Sequence, residues 1–289
     1  MKRVSIFIIS LLAVATAAQA QSRLEHLTVK SEILGVEKNY SVYLPDGYDK
    51  GDERYPVLYL LHGAWGNHKS WNRDGGGEQP RITDEMIAAG KAVKMIVVMP
   101  DATGIGARRG GKNMGYFNVS NWAYEDFFFQ EFLPAMEKKY QAVGDKEHRA
   151  VMGLSMGGGG STVYCQRHPD MFSSCYAMSP WLDNQGDNVG PGDKKDKLYL
   201  VCEAVKAHSA LRFVEQADDA TKEKLRTVKW FFDCGDDDFL FDQSVRMHQL
   251  MRNARIHDEL RVRNGVHNWE YWHVALRMAL PFASRNFGR

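Results

Sequence analysis

Residues 150–160 read AVMGLSMGGGG, a short apolar run that breaks into five glycines around Leu154, Ser155 and Met156. A glycine tract of this kind suits a flexible linker, a phosphate-cradling loop or a sharp turn that displays one serine. A strand-like run precedes it, and a helix-compatible segment, residues 162–167, follows it. That context excludes a linker. A phosphate loop needs a lysine followed by serine or threonine. Ser155-Met156-Gly157 has none, and the near-match at residues 106–113 (GARRGGKN) ends in asparagine. The third reading fits. In G-x-S-x-G, made by Gly153, Ser155 and Gly157, the serine sits in a strained strand-to-helix turn. Side chains two residues away on either side would collide there. Such a turn lifts the hydroxyl clear of a sheet and leaves the next backbone N–H, that of Met156, at a helix N-terminus.

The rest of the chain supplies a setting for this turn. Residues 27–44 alternate like two strands or a hairpin. Residues 55–61 (YPVLYLL) and 94–99 (KMIVVM) are continuous apolar runs, as in parallel strands buried on both faces. Further strands are expected at 150–152, 175–178, 227–233 and 260–263. Helical patterns fall between them at 81–90, 124–140 (with Pro134 as a kink), 239–255 and 269–282. Alternating strands and helices imply a mainly parallel, doubly wound α/β sheet with its chemistry at the carboxyl ends of the strands. No linker divides residues 21–289, which read as a single domain. Two polar, glycine-rich stretches, 104–121 and 182–197, read as loops that flank a site.

Composition narrows the function. The formal net charge is +1, which provides no basic stripe for nucleic acid. No G-x-G-x-x-G opens the first strand–helix unit, and no metal spacing is present, so neither a cofactor nor a metal is expected. Lys2-Arg3, an apolar stretch and Ala18-Gln19-Ala20 read as a cleaved signal peptide over residues 1–20 rather than a membrane anchor. Secretion or a periplasmic location follows. Its removal leaves 35 basic against 36 acidic residues. Export permits disulfides, but a chain of this length needs no staple. Cys165, Cys175, Cys202 and Cys234 are therefore expected as buried thiols, with the pairing of any bridge left open.

A serine is a weak nucleophile without a base, and the base needs an orienting acid. In an open α/β sheet the chain order is serine, acid, histidine. Of the six histidines after Ser155, His267 lies in a loop beyond the last strand, beside Gly265. His257 and His273 fall in a strand and a helix, as packed or solvated residues. Asp236, Asp237 and Asp238 follow the preceding strand. Asp238 stands past the turn, next to Phe239-Leu240 as an apolar anchor, and the other two remain alternatives. The loop after residues 55–61 should offer a second oxyanion N–H, at Ala64, with His62 as a structural residue. Trp65, Trp181 and Trp269 are candidates to contact substrate, although the same tryptophans suit ordinary packing.

SVYLPDGYD, YPVLYLLHGAWGNHKSW, GLSMGG, CGDDDFL and GVHNWEYW, in this order, resemble the esterase D-like branch of the α/β-hydrolases. That branch includes S-formylglutathione hydrolases, tributyrin esterases, feruloyl and acetylxylan esterases of carbohydrate esterase family one, enterobactin-type esterases and mycolyltransferases. The resemblance runs over residues 27–285. It implies the α/β-hydrolase fold, with Ser155 as nucleophile, His267 as base within G-x-H-x-W-x-Y-W, Asp238 as acid, and Ala64 and Met156 as oxyanion amides. The stretch 181–206 matches no subgroup. The expected activity is that of a serine carboxylesterase acting on acetyl or feruloyl side groups of plant polysaccharides or oligosaccharides. The alternatives are a periplasmic esterase of a siderophore trilactone, an acyltransferase, and a non-catalytic binding module. The expected partner is a small or oligosaccharide ester, and oligomeric state is left open.

Overall fold

Apolar alternation at the N-terminus makes a hairpin. β1 (Arg23–Ser31) and β2 (Val36–Leu44) pair antiparallel, from Arg23 opposite Leu44 to Ser31 opposite Val36. The continuous apolar runs become β3 (Val57–Leu61) and β4 (Ile96–Pro100), buried at every residue. After a two-stranded ribbon of β5 (Asn118–Val119) and β6 (Trp122–Ala123) come β7 (Arg149–Leu154), β8 (Ser174–Met178), β9 (Lys229–Gly235) and β10 (Asp258–Arg263). Eight of these strands form one sheet in the order β1-β2-β4-β3-β7-β8-β9-β10. The β1-β2 and β2-β4 junctions are antiparallel and all the others are parallel. This is a computed structural model, and it describes residues 22–104, 113–184 and 194–288. The expected signal peptide, most of the 106–113 near-match and the centre of the 182–197 stretch lie outside the described residues.

Alternate strand residues face two layers. α1 (Gln79–Ala88) and α9 (Trp269–Asn286) cover one face, where Ile82, Ala275 and Leu280 meet Leu58, Leu60 and Met152. The other face, bearing Val57, Tyr59 and Leu61, is covered by α2 (Tyr124–Asp126), α3 (Leu133–Lys139), α4 (Met156–Arg167), α5 (Tyr199–Ala207), α6 (Ala210–Gln216), α7 (Asp219–Leu225) and α8 (Phe241–Asn253). Burying both faces is what allows parallel strands this apolar. Cys165, Cys175, Cys202 and Cys234 are all buried and unpaired. No helix of the described residues is long and apolar enough to cross a membrane.

One expectation needs correction. The irregularity expected at Pro134 falls a turn earlier, because Phe127–Phe132 is a π-helical turn and Pro134 sits at the start of α3. Proline has no N–H for the Gln130 carbonyl and crowds it, and a wider turn relieves the clash. The helix after the glycine turn begins at Met156, as the strained turn implies, despite the poor helix propensity of glycine. Packing overrides propensity here. A Cβ on Gly153 would overlap the Gly157 carbonyl oxygen, and one on Gly157 would lie 2.5 Å from the Leu61 oxygen. A Cβ on Gly158 would lie 3.0 Å from the Met178 oxygen, one on Gly159 would overlap the Trp181 oxygen, and one on Gly160 would lie 2.8 Å from the Tyr116 ring. Gly159 and Gly160, which have no task in the sequence reading, are the seats of a neighbouring backbone and a neighbouring ring.

Gly159→Ala is therefore expected to destabilise the protein by about 3 kcal/mol, since the clash is with backbone that no rotamer change relieves. Urea unfolding measures this. Gly51→Ala, where a Cβ meets nothing within 4 Å, is the control and should stay within about 0.5 kcal/mol of the parent.

Candidate active site

Loops after β3, β7, β8, β9 and β10, at the carboxyl end of the sheet, meet around one cavity. Ser155 stands between β7 and α4 with φ 54° and ψ −118°, a conformation that non-glycine residues rarely adopt. Three backbone bonds lock it there. Its N–H donates to the Met178 carbonyl (2.9 Å), and its carbonyl accepts from the N–H groups of Gly159 and Trp181 (3.0 Å each). Met156 is the first residue of α4, so its N–H has no acceptor inside the helix and lies at the positive end of the helix dipole. The loop after β3 runs alongside. His62 is buried and neutral in role: its Nδ1–H donates to the Gly63 carbonyl (2.8 Å) and its Nε2 accepts from the Ala102 N–H (3.0 Å). Burial pushes its pKa down. It braces the turn on which Ala64 faces the cavity.

The loops after β9 and β10 are stitched together. Asp238 is buried, and its Oδ2 accepts from His267 Nδ1 at 2.8 Å while its Oδ1 accepts from the Leu240 N–H at 2.9 Å. Burial pushes the Asp238 carboxyl up, but these hydrogen bonds and the nearby imidazole outweigh it and hold the pKa below the ordinary value. Asp236 and Asp237 are exposed and do other work. The Asp236 carboxylate accepts from the Gly265 N–H (3.0 Å), and the Asp237 N–H donates to the Gly265 carbonyl (3.1 Å). A Cβ on Gly235 would overlap that same Gly265 carbonyl, so the two loops touch backbone to backbone. Beneath them Asp233, fully buried, accepts from the Tyr176 and Tyr271 hydroxyls (2.5 Å each) and so ties β9 to β8 and α9. The sequence reading did not single out Asp233. A lone aspartate inside an apolar strand was the signal that could have found it.

Ser155, His267, Ala64, Trp65, Trp181 and Trp269 all line one cavity of about 470 Å³. Met156 is buried beneath it and is not part of the lining. Trp272 and Phe239 also line it, although the sequence marks neither as a substrate contact. Trp272 lies edge-on to His267 at 4.9 Å, its Nε1–H donating to the Ser179 hydroxyl, and Phe239 lies 4.6 Å from the same imidazole. The expected Phe239-Leu240 anchor is half right. Leu240 is buried, but Phe239 is 75% exposed, since only one of two adjacent turn residues can point inward. His273 packs away from the cavity, with Nε2 on the Gly76 carbonyl (2.6 Å). A larger cavity, about 1080 Å³, lies across the β3 loop. In its lining Lys38 lies 3.9 Å and His68 3.1 Å from Asp101, and neither Ser155 nor His267 faces it. Among the described residues no three His, Cys, Asp or Glu side chains converge as metal ligands.

Known proteins share this arrangement of chain. The Esterase family matches residues 31–283. A ferulic acid esterase of solved structure is 44% identical and superposes with a TM-score of 0.85, covering 93% of this chain and 99% of its own. A ferulic acid esterase from Anaeromyces mucronatus, solved with ferulic acid, shares the fold at 21% identity and a TM-score of 0.69, over 92% of each chain. The endo-1,4-beta-xylanase/feruloyl esterase of Xylanibacter ruminicola is 38% identical over 153 residues, which is 52% of this chain and 20% of that protein. Esterase Rv1288 of Mycobacterium tuberculosis is 30% identical over 162 residues, 54% of this chain and 32% of that protein. The chain thus spans less than a third of the length of these two curated relatives. Its fold is the α/β-hydrolase fold, and with the family match running through nearly all of the sheet and its helices, this chain belongs to the Esterase family.

Proposed function

We propose that this chain is an exported serine carboxylesterase that releases feruloyl groups from plant polysaccharides or oligosaccharides through an acyl-enzyme, with residues 21–289 as one catalytic domain. The observation that carries the reading is the Asp238–His267 hydrogen bond, which ends on the cavity that Ser155 also lines. With Nδ1–H donated to Asp238, the imidazole keeps Nε2 free as a base. It takes the Ser155 proton as Oγ attacks the ester carbonyl carbon. The N–H groups of Ala64 and Met156 receive the oxyanion. The tetrahedral intermediate collapses, His267 returns the proton to the departing sugar oxygen, and the acyl group stays on Ser155. Water, deprotonated by the same imidazole, then hydrolyses the acyl-enzyme. The bulk of the cavity supports a ring-bearing acyl group over acetyl: Trp181, Trp269, Trp272, Leu154 and Leu198 line space far larger than a methyl group fills. The names of two relatives, a ferulic acid esterase and a xylanase/feruloyl esterase, point the same way. The basic, apolar and small-residue pattern of residues 1–20 supports export.

Ser155→Ala should lower kcat/KM on methyl ferulate by at least about 10⁴-fold with an unchanged unfolding midpoint. Retained hydrolysis would remove Ser155 from the role. A panel of methyl ferulate, acetylated xylan and a trilactone ranks the substrates, with methyl ferulate expected first.

The three aspartates separate by kinetics. Asp238→Asn should cost about 10³- to 10⁴-fold in kcat, because the imidazole loses its orienting charge, while Asp237→Asn keeps kcat near the parental value. The reverse order would move the acid.

Asp238 also sets part of the acid limb of stability. A carboxyl whose folded pKa is depressed stabilises the fold above its unfolded value and loses that contribution as pH falls through the folded one. In Asp238→Asn, Tm should therefore fall less steeply than in the parent below about pH 4. An unchanged slope would show that Asp238 carries no such linkage.

A further inference from the structure

Two of the most exposed large apolar side chains in the described residues are aromatic and belong to the same cavity. Trp65 is 60% and Phe239 75% exposed, and both line the space reached by Ser155 and His267. Neither is exposed for want of an alternative. Trp65 has φ +65°, a costly conformation for a bulky residue, and strain of this kind persists only where surrounding structure imposes it. Here the surrounding structure is Asn113. Buried itself, and with its own N–H on the Lys197 carbonyl (3.2 Å), it offers Oδ1 to the Trp65 N–H at 2.8 Å. Phe239 sits between Asp238 and Leu240, both buried, and its ring stands over the imidazole at 4.6 Å.

Strand order fixes where the two rings lie. Ser155 leaves β7, Trp65 follows the neighbouring strand β3, and Phe239 follows β9, two strands to the other side. The rings therefore flank the serine, on loops whose strands are about 14 Å apart, three spacings of the sheet. That is the span of a few linked pyranose rings. The interior of the cavity, walled by Trp181, Trp269 and Trp272, takes the acyl group. Whatever remains of the substrate leaves over the rim. A pyranose presents a face of C–H groups that packs on an aromatic ring while its hydroxyls stay in water, so a half-exposed ring suits it better than a closed pocket does.

We propose that Trp65 and Phe239 form a two-sided aromatic rim that binds the sugar chain carrying the ester, on the alcohol side of Ser155, and that Asn113 is the positioning residue that holds Trp65 in place. The proposal rests on the reading of Ser155 as the nucleophile of a polysaccharide ester hydrolase. A sugar stacked on Phe239 lies one ring away from the imidazole that protonates its departing oxygen.

The test compares feruloylated arabinoxylan oligosaccharide with methyl ferulate, which has the same acyl group and no sugar. In Trp65→Ala and Phe239→Ala the ratio of kcat/KM on the oligosaccharide to that on the methyl ester should fall about tenfold, mainly through KM on the oligosaccharide. Asn113→Ala should move the ratio in the same direction without contacting the sugar, and Phe239→Tyr should restore it. A second readout needs no turnover: Ser155→Ala protein should bind unesterified arabinoxylan oligosaccharide in titration calorimetry and lose that binding when either ring is removed. If the parent hydrolyses both esters and the ratio does not move, the rim is wrong and the reaction stands. If the parent hydrolyses neither but the rings still govern binding, the reaction is wrong and the rim stands. Equal losses on both esters would place the rings in the acyl site and overturn the proposal.

Discussion

The close approach of backbone to backbone around Ser155 is the contact on which the rest of the site depends. β7 enters between β3 and β8, and α4 turns back beneath its end so sharply that Gly153 meets Gly157, Gly157 meets Leu61 and Gly159 meets Trp181. No side chain fits at those three points. The unfavourable dihedrals of Ser155 are offset by bonding its own N–H and carbonyl into the flanking chain and by burying α4 along nearly its whole length. The consequence for chemistry is preorganisation. The hydroxyl is displayed by a segment that cannot relax, at the N-terminus of a helix whose first N–H has no partner inside it.

A second apposition does for the histidine what the first does for the serine. Gly235 and Gly265 touch, Asp236 and Asp237 each bond to Gly265, and the buried Asp233 pins the strands and α9 underneath. Asp238 and His267 then have one relative placement. Three consecutive aspartates are thereby divided between two tasks by burial. The buried one faces the imidazole, and the two exposed ones fasten the loops. Charge alone says nothing of this division, and only the apolar neighbours Phe239 and Leu240 single out Asp238 in the sequence.

What was legible in the sequence follows the same physics. The parallel strands were legible because burial on both faces demands unbroken apolar runs, as in residues 57–61 and 96–100. The turn at Ser155 was legible because its geometry tolerates only glycine at fixed offsets. The elements that escaped obey weaker rules. α5, α6 and α7 are short amphipathic pieces of seven to nine residues, lying next to a stretch that matches no family subgroup. The start of α4 at Met156 follows from the turn, and the neighbouring strands and Trp181 show why the helix needs its four glycines despite their poor propensity. The π turn before Pro134 was half visible: the proline announces a disturbance but not the side on which the helix absorbs it.

The tryptophans and phenylalanines mark where sequence reading stops and geometry has to take over. Trp65, Trp71, Trp181 and Phe239 are alike as letters in an apolar pattern, yet Trp71 is buried in the core with its Nε1–H on the Leu61 carbonyl, Trp181 walls the cavity, and Trp65 and Phe239 stand out in water. Leu240 and Phe239 are neighbours with opposite fates. The difference is energetic as well as spatial. A residue whose Cβ is enclosed by backbone is specified by the fold, and changing it costs stability. A residue at an exposed rim is nearly free of that constraint, and changing it alters what the cavity meets rather than whether the chain folds. On the proposed reading, the reaction rests on the glycines and the buried carboxylate, which the sheet dictates. On the same reading, recognition of the sugar falls to the rim rings, which the sheet merely carries.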